Sequence, residues 1–458
     1  MTSQRIRNLA SRIGFILSAM LITSFMAIYN GYPLFFNHDS AVYIFQGLRS
    51  ENLPDRPILY AVFIFFIGRM YSLWFIVIFQ SFAMSFIIFL YFKYLSPPKG
   101  LGARYLSFVA FASLFTSLSF EASWIMPDFF SSICALCVGL ILFTPKMNRF
   151  DSIIAHGSIV LSVGMHNSHF YIFLACILIF ICLKVFKSVR RDYAKLQIQS
   201  AKLLVLLLTI FVGNIFLIGV QYFYTGYSKG PRGGDAFLFS NLVEMGIMDE
   251  YLDHACPLEK YSICKYKDSL PNNFLWDSKS PINKGKGWEE NIDEYSVINR
   301  KIIFSKFFIK VIYKSSIYSI KQIFNNDMSD NVQHGEYVIQ AVKTMFPRDI
   351  PDHEKSSQYH GNLNIGFVNY SQIVIFGFCF SLNILSLLYF PLPIAQRYLL
   401  IYFCVVLIVN AALCGSLSGV FPRYQARVAW ILPLPLFLFM NLNSRARSIH
   451  SKLFTLTK

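Results

Sequence analysis

Apolar residues along this chain form ten long runs that are separated by short polar or charged segments. The runs cover residues 13–30, 71–92, 105–120, 129–144, 152–165, 170–186, 203–223, 366–390, 398–418 and 428–441. Most of them are close to the roughly twenty residues that a helix needs to cross about 30 Å of hydrocarbon. The pattern therefore predicts a polytopic α-helical membrane protein with about ten transmembrane helices.

The composition supports a membrane protein and excludes several other classes. Of the 458 residues, 55% are hydrophobic and only 14% are charged, and the mean hydropathy is +0.48. A soluble globular protein carries about a quarter charged residues, so soluble enzymes, collagens and disulfide-rich secreted folds are excluded. The net charge of +16 is typical of basic loops that a polytopic protein retains in the cytoplasm. We therefore expect membrane lipids, and no nucleic acid, among its partners.

A short apolar stretch at 58–68 decides the predicted topology. It is too short to span, and Arg69 follows it directly, so we place it on the outer surface as an interfacial helix. The inner segments then hold 19 basic residues and the short outer loops hold five. Because basic residues favour the cytoplasmic side, both termini are predicted to be cytoplasmic. The first run follows basic residues and lacks a small-residue cleavage site, which favours an uncleaved signal anchor in a bacterial inner (plasma) membrane.

A polar segment at 224–365 interrupts the apolar runs and is placed outside by the same topology. It is too long for a connector. We therefore divide the chain into an N-terminal transmembrane core at 1–223 with a first outer loop at 31–70, an extracytoplasmic loop domain at 224–365, and C-terminal transmembrane helices at 366–458. Within the loop domain, Ile and Phe alternate with basic residues from 297 to 324. This predicts one amphipathic helix, which is either solvated or lies on lipid phosphates.

Two cysteines stand apart from the other seven. Cys256 and Cys264 lie in the polar outer segment, whereas the rest lie in apolar runs, where a thiol behaves as a small hydrophobe. An oxidising periplasm favours a local disulfide between them, with two unlinked thiols as the alternative. Such a disulfide has a structural role.

Acidic residues outside the loop domain are few and lie at the predicted membrane boundary. Asp39 follows the first run, and Glu121 and Asp128 flank the junction of the third and fourth runs. Placing an ionisable group at this depth costs free energy unless the group is paired or serves a function, so these are candidate functional residues. The alternative for Asp39 is a simple helix N-cap. Arg56, which precedes a proline, has a comparable alternative as a charged anchor of the interfacial helix.

Two histidines mark a sharp outer turn at 165–169. His166 and His169 are three residues apart, a spacing that places both on one helical face as metal ligands. The sequence offers no evident third ligand. A polar turn that caps two helices is the alternative interpretation.

The order of these motifs resembles that of the GT-C superfamily of integral membrane glycosyltransferases, which use polyprenyl-phosphate-linked sugars. The residues that carry the resemblance are Asp39, Arg56-Pro57, Gly68, Met126-Pro127-Asp128, Pro422-Arg423-Tyr424 and the Leu-Pro-Leu-Pro sequence at 432–435. They cover residues 1–145 and 415–441. The family often has two adjacent acids in the first outer loop, whereas this chain has only Asp39, which leaves a divalent metal cofactor open. The large outer domain lies in mid-chain rather than at the C-terminus.

The resemblance implies a function and a set of roles. The chain would transfer a sugar from a polyprenyl-phosphate donor to a cell-envelope glycan or glycolipid, as in O-antigen or lipopolysaccharide modification. A carboxylate must deprotonate or orient the acceptor hydroxyl, and arginine forks bind phosphate oxygens well. The roles implied are a catalytic base at Asp39, donor-phosphate binding by Arg56, Arg423 and Arg427, and acceptor or metal contacts by Glu121, Asp128, His166 and His169. Arg232, in a glycine-rich turn, is a weaker phosphate candidate.

Two other functions fit the same pattern. An O-antigen-type polymerase also has many spans and one large outer loop with functional arginines. A transporter or lipid flippase is the alternative outside the enzymes, and it would place charged groups along a pathway near mid-membrane. Here the acids gather at the outer boundary instead, which favours an enzyme.

Overall fold

The structure is a computed structural model that describes residues 3–49, 56–69, 71–226, 233–284, 288–329, 332 and 335–439. Helices form all the regular secondary structure in these ranges, and one isolated bridge, between Leu34 and Trp124, pairs extended backbone. The N-terminal part contains α1 (Ser3–Thr23), α2 (Phe25–Asn30), α3 (Asn37–Arg49), α4 (Leu59–Gly68), α5 (Trp74–Leu95), α6 (Leu101–Phe115), α7 (Leu118–Ser123), α8 (Phe129–Phe143), α9 (Arg149–Met165), α10 (Asn167–Leu183), α11 (Lys187–Lys195) and α12 (Ser200–Thr225).

The polar middle of the chain is also helical. It contains α13 (Gly234–Glu244), α14 (Met248–Ala255), α15 (Trp288–Ile303), α16 (Phe308–Phe324), α17 (Glu336–Met345) and α18 (Ile350–Lys355), with 3₁₀ turns at Ser262–Ser269, Pro281–Asn283 and Pro347–Asp349. The C-terminal part contains α19 (Gly366–Tyr389), α20 (Ile394–Leu417), α21 (Arg423–Ala429) and α22 (Leu434–Phe439).

Four helices are long and apolar enough to cross a membrane: α5, α12, α19 and α20. A fifth is obtained when α10 and α11, which are bent by 109° at their junction, are counted as one broken span. The helix at 10–23 and α4, α6 and α8 are apolar but shorter. The chain is therefore an all-helical protein, within the described ranges, with the apolar helices of a membrane protein, while ten spans remain a prediction.

Within the described ranges, four predicted helices are broken. The runs at 13–30 and 105–120 are divided between α1 and α2 and between α6 and α7. The last apolar run, 428–441, holds the end of α21 and all of α22, with a turn at 430–433 between them. Pro433 and Pro435 explain this break because proline lacks the N–H that a continuous helix needs. The single amphipathic helix predicted at 297–324 is wrong as well, because α15 and α16 are separate. Ser305 lies at the break, where its hydroxyl accepts the N–H of Phe307 at 3.2 Å and competes with the helical pattern.

The stretch predicted as an interfacial helix is α4, and it is largely packed inside the protein. Six of its ten residues are buried, whereas Phe66 is exposed. It packs against α3 and α5. Its last residue, Gly68, faces the ring of Phe346, from which a Cβ at that position would be only 3.0 Å away. The helix therefore lies mostly inside the protein, between α3 and the middle of the chain, and Phe66 is the part of it that stays exposed.

The polar middle of the chain contributes to two hydrophobic cores. Residues between Ala236 and Phe307 form a core of their own, which includes α13 to α15. The later part packs into the main core instead, through Val338, Ala341 and Val342 on α17. One carboxylate oxygen of Asp349 also accepts hydrogen bonds from the Tyr32 hydroxyl at 2.5 Å and the Leu73 N–H at 2.8 Å. Only the first part of 224–365 thus has a core of its own, as a separate domain would. We call this part, residues 233–311, the mid-chain domain.

Helix α16 leads from the mid-chain domain onto α20. The two helices run side by side, and Gly415 permits their close approach because a Cβ there would lie 2.8 Å from the carbonyl oxygen of Tyr318. The amide of Asn241, on α13, donates to the Gly415 carbonyl at 3.0 Å. These contacts fix the mid-chain domain over the end of α20, where the candidate site lies.

Candidate functional site

A cavity of about 330 Å³ lies where helix ends of the transmembrane part meet the mid-chain domain. Its polar and charged lining includes Asp39, Arg56, Asp128, His166 and Arg423. These residues come from α3, the segment before α4, the start of α8, the turn before α10, and α21. Five of the eight catalytic, phosphate-binding and acceptor residues predicted from the sequence therefore surround one space.

Two arginines hold Asp39 from opposite ends of the chain. One oxygen of its carboxylate accepts a hydrogen bond from Arg56 at 2.6 Å, and the other accepts one from Arg423 at 2.5 Å. Pro57 and Pro422, next to the two arginines, restrict the backbone locally. Asp39 is the third residue of α3 rather than its N-cap. The capping alternative is therefore wrong, and the carboxylate is committed to the two guanidinium groups.

Aromatic rings support this clamp. The Arg423 guanidinium carbon lies 4.5 Å from the centre of the Phe36 ring, and that of Arg56 lies 5.4 Å from the centre of the Tyr43 ring. Each ring face attracts the guanidinium beside it, and the guanidinium still donates its hydrogen bond to Asp39. The geometry is that of a preorganised anion site with one anion, Asp39, already in place.

The electrostatic state of Asp39 follows from this geometry. Burial alone would raise the pKa of the Asp39 carboxyl, but the charges of Arg56 and Arg423 outweigh it and hold the pKa well below its usual range. The carboxylate is therefore ionised, and while both arginines hold it, it is a weak base. It can accept a proton efficiently only when the arginines are drawn elsewhere.

Arg427 lies behind the cavity wall. Its guanidinium is fully buried and donates to Asp128 at 3.0 Å, to the Asn410 side-chain oxygen at 2.9 Å and to the Cys414 sulfur at 3.3 Å. The prediction that Arg427 binds the donor phosphate is not supported, because it does not line the cavity and these partners take both of its terminal nitrogens. Its role is to neutralise and orient Asp128, which does line the cavity.

Glu121 is the least satisfied acid near the site. Both of its carboxyl oxygens are buried without a hydrogen-bond partner in the described part of the chain. Burial, followed by the charge of Asp128, raises the pKa of Glu121 well above its usual value, although Arg427 and Arg423 act in the opposite direction. The group is therefore a neutral acid behind the wall, and it does not itself face the cavity.

The two histidines lie at the turn between α9 and α10. His166 lines the cavity, and its Nδ1 accepts the Ser168 N–H at 3.2 Å, which caps α10. His169 is buried and donates from Nδ1 to the Ser162 carbonyl at 2.7 Å. Burial lowers the pKa of His166 to about 4, aided by nearby arginines and opposed by Asp128, so its ring is neutral at ordinary pH. The capping interpretation of this turn is therefore supported.

The acidic and histidine side chains of the site do not fit a metal ion. No group of three or more His, Cys, Asp or Glu residues is arranged to hold a metal within the described ranges. Asp39 and Asp128 bond to arginines instead. A divalent cofactor therefore has no ligand set here, and no chemistry is assigned to one.

Sequence reasoning missed the aromatic part of the site. Tyr43, Tyr171 and Tyr424 line the cavity, as do Phe237 and Trp276 of the mid-chain domain. Tyr43 could have been found, because it lies four residues after Asp39 and so on the same face of a helix. The two mid-chain residues lie in a polar segment with no periodic signal, and the fold alone brings them to the cavity.

Two other predicted features are not part of the described cavity lining. Cys256 and Cys264 are joined in a disulfide that closes a loop of the mid-chain domain. Arg232, the weaker phosphate candidate, lies outside the described residues.

The cavity thus combines a paired anion clamp, a second buried ion pair and an aromatic wall from the mid-chain domain. Comparisons of the chain with protein-family models, curated proteins and solved structures find no match.

Proposed function

We propose that this protein is an integral membrane glycosyltransferase that transfers a sugar from a polyprenyl-phosphate donor to a cell-envelope glycan or glycolipid. The observation that carries the proposal is the clamp of Arg56 and Arg423 around Asp39 on a cavity wall. The reaction needs a site for an anionic phosphate and a carboxylate beside it. Two stacked arginines that share one carboxylate supply both.

The donor phosphate takes the place of the Asp39 carboxylate on the arginines. Planar guanidinium groups bind phosphate oxygens in paired hydrogen bonds, and phosphate offers more oxygens than a carboxylate does. Binding therefore draws Arg56 and Arg423 toward the donor. Asp39, relieved of the two charges that depress its pKa, becomes a stronger base when the donor is in place.

The transfer step then follows directly. The acceptor hydroxyl oxygen attacks the anomeric carbon of the donor sugar and passes its proton to Asp39. The bond between the anomeric carbon and the phosphate oxygen breaks, and its electron pair leaves with the polyprenyl phosphate. Arg56 and Arg423 stabilise the charge that develops on this leaving group, which is the electrostatic contribution that such sites supply.

The donor lipid needs a route between the cavity and the bilayer. Tyr171 fits this route because it lines the cavity, is 56% exposed, and lies one turn into the apolar helix α10. A prenyl chain that leaves the clamp past Tyr171 would reach the hydrocarbon along α10. We propose the bacterial plasma membrane as the location, with the cavity on its outer face and both termini in the cytoplasm.

Mass spectrometry of envelope glycans tests the proposal in cells that produce wild type, Asp39→Ala or no protein. Asp192→Asn is the matched control, since Asp192 lies on α11, accepts a bond from Tyr398 and is remote from the cavity lining. We expect a single added sugar with wild type and the control, and none with Asp39→Ala at equal membrane levels. A change in chain length would instead indicate a polymerase. An identical profile in all cells would contradict both enzymes and favour transport.

A further inference from the structure

We infer that the mid-chain domain supplies a sugar-binding subsite of this cavity, in which the face of Trp276 holds a pyranose ring of the acceptor glycan. The inference rests on the proposed function, which it deepens by assigning the acceptor side. It starts from one unusual feature: Trp276 is a large aromatic side chain that is 48% exposed and lines the same cavity as the charged side chains of Asp39, Arg56 and Arg423.

The backbone holds Trp276 in a fixed position. The preceding residues Phe274 and Leu275 are buried in the core of the mid-chain domain. The Asn283 side-chain amide donates to the carbonyls of Leu275 at 3.1 Å and Asp277 at 2.9 Å, one on each side of the tryptophan. Since its neighbours are anchored, the ring is preorganised toward the cavity, which lowers the entropy cost of binding a ligand.

A second aromatic residue completes the wall. Phe237 on α13 also lines the cavity, and its ring centre lies 6.5 Å from that of Trp276 at an angle of 66°. The edge of one ring thus faces the other, an arrangement that steadies aromatic pairs. The negative face of an indole attracts the C–H groups that cover one side of a pyranose ring, while the hydroxyls at the ring's rim remain free for polar partners.

The position of Trp276 favours a sugar over the prenyl chain. Its segment, 271–284, is rich in Asn, Ser, Lys and Pro and belongs to the mid-chain domain rather than to an apolar helix. A prenyl chain must reach hydrocarbon, for which Tyr171 on α10 is better placed. Different lining residues therefore take different parts of the reaction: those on the apolar helices take the donor lipid, and those of the mid-chain domain take the acceptor glycan.

Saturation-transfer NMR on the full-length protein in lipid nanodiscs tests this assignment without turnover. The probes are methyl β-glucopyranoside, methyl β-galactopyranoside and methyl α-rhamnopyranoside, with farnesyl monophosphate as the separate donor probe. The variants are Trp276→Ala and Trp276→Phe. Tyr370→Ala is the matched control, because Tyr370 is an exposed aromatic on α19 away from the cavity lining.

We expect at least one glycoside to bind wild type, Trp276→Phe and Tyr370→Ala, and to bind Trp276→Ala about tenfold more weakly, as loss of one good aromatic contact implies. Farnesyl monophosphate should bind all four proteins equally, which also shows that Trp276→Ala is folded. Equal glycoside binding by Trp276→Ala, or none by wild type, would overturn the inference. Loss of farnesyl monophosphate binding by Trp276→Ala would also overturn the inference, because the Trp276 ring would then hold the prenyl chain. If the proposed function itself is wrong, the result is different, because wild type would then not bind farnesyl monophosphate.

Discussion

Replacing Asp39 by asparagine should strengthen phosphate binding while it abolishes transfer. In the free protein, Arg56 and Arg423 each donate one bond, at 2.6 and 2.5 Å, to a charged carboxylate, and an incoming phosphate must displace it. A hydrogen bond to a charged group contributes about 1.5–3 kcal/mol and a neutral one about 1 kcal/mol. Over two bonds, Asp39→Asn lowers the cost of displacement by about 1–4 kcal/mol, which corresponds to at least about fivefold tighter binding.

Solvent screening does not remove this effect. The side chains of the clamp are only 11–17% exposed, so their charges interact in a largely desolvated setting. The substitution also removes the repulsion between the Asp39 carboxylate and the phosphate. It also takes the Asp39 charge away from both arginines, so bound phosphate should raise the melting temperature more in Asp39→Asn than in wild type.

Isothermal titration of farnesyl monophosphate into nanodisc-embedded wild type and Asp39→Asn measures the effect, with transfer followed in parallel. Arg423→Gln is the opposite variant and should weaken binding, because it removes half of the clamp. Weaker or unchanged binding by Asp39→Asn would refute the idea that the carboxylate occupies the phosphate position. Retained transfer by Asp39→Asn would refute its role as base.

Three further predictions concern the supports of the site. Gly415→Ala should destabilise the protein by about 1–3 kcal/mol in chemical unfolding, because its Cβ would lie only 2.8 Å from the backbone of α16. Gly377→Ala on α19 is the control and should be neutral or slightly stabilising, because the space around Gly377 is open. Arg427→Met should cost about 3–5 kcal/mol in heat or denaturant unfolding by leaving Asp128 buried and unpaired, and adding Asp128→Asn should recover much of this. Cys256→Ser should make the mid-chain domain more sensitive to limited proteolysis, as should a reductant on wild type.

Each of these predictions has a result that would contradict it. Equal stability of the two glycine variants would mean that α16 and α20 do not pack closely. A double variant no more stable than Arg427→Met would show that the lost charge pair is not the cause. Unchanged proteolysis of Cys256→Ser would show that the disulfide does not support the fold.

The charged part of the site could be predicted because charge at a membrane boundary demands a partner. Asp39 is a candidate on that ground, whereas Arg56 and Arg423 are candidates as phosphate binders through the resemblance; in the fold both arginines bond to Asp39. Arg427 was assigned to phosphate binding together with Arg423, because both lie at the predicted outer end of the last span. The sequence does not show how deep each arginine lies, and in the fold Arg427 is buried in α21 while Arg423 lines the cavity.

The mid-chain contribution could not be predicted from local patterns. Trp276 lies in a segment without helical or strand periodicity, and 237 residues separate it in sequence from Asp39. What brings it to the cavity is the packing of α16 along α20 and the bond from Asn241 to Gly415, which are long-range contacts. The helical break at Ser305 escapes prediction for a different reason: the apolar and basic pattern continues through it, and a local bond from the Phe307 N–H to the Ser305 hydroxyl competes with the helix.

The central claim is that this protein consumes a polyprenyl-phosphate-linked sugar, and the lipid pool tests it most directly. Bacterial inner membranes are incubated with purified wild type or Asp39→Asn in nanodiscs, and lipid-linked sugars and free polyprenyl phosphate are quantified by liquid chromatography and mass spectrometry. The account predicts that wild type depletes one polyprenyl-phosphate sugar with an equal gain of free polyprenyl phosphate, and that Asp39→Asn leaves both unchanged. A pool that wild type does not alter, or that both proteins alter equally, would contradict it.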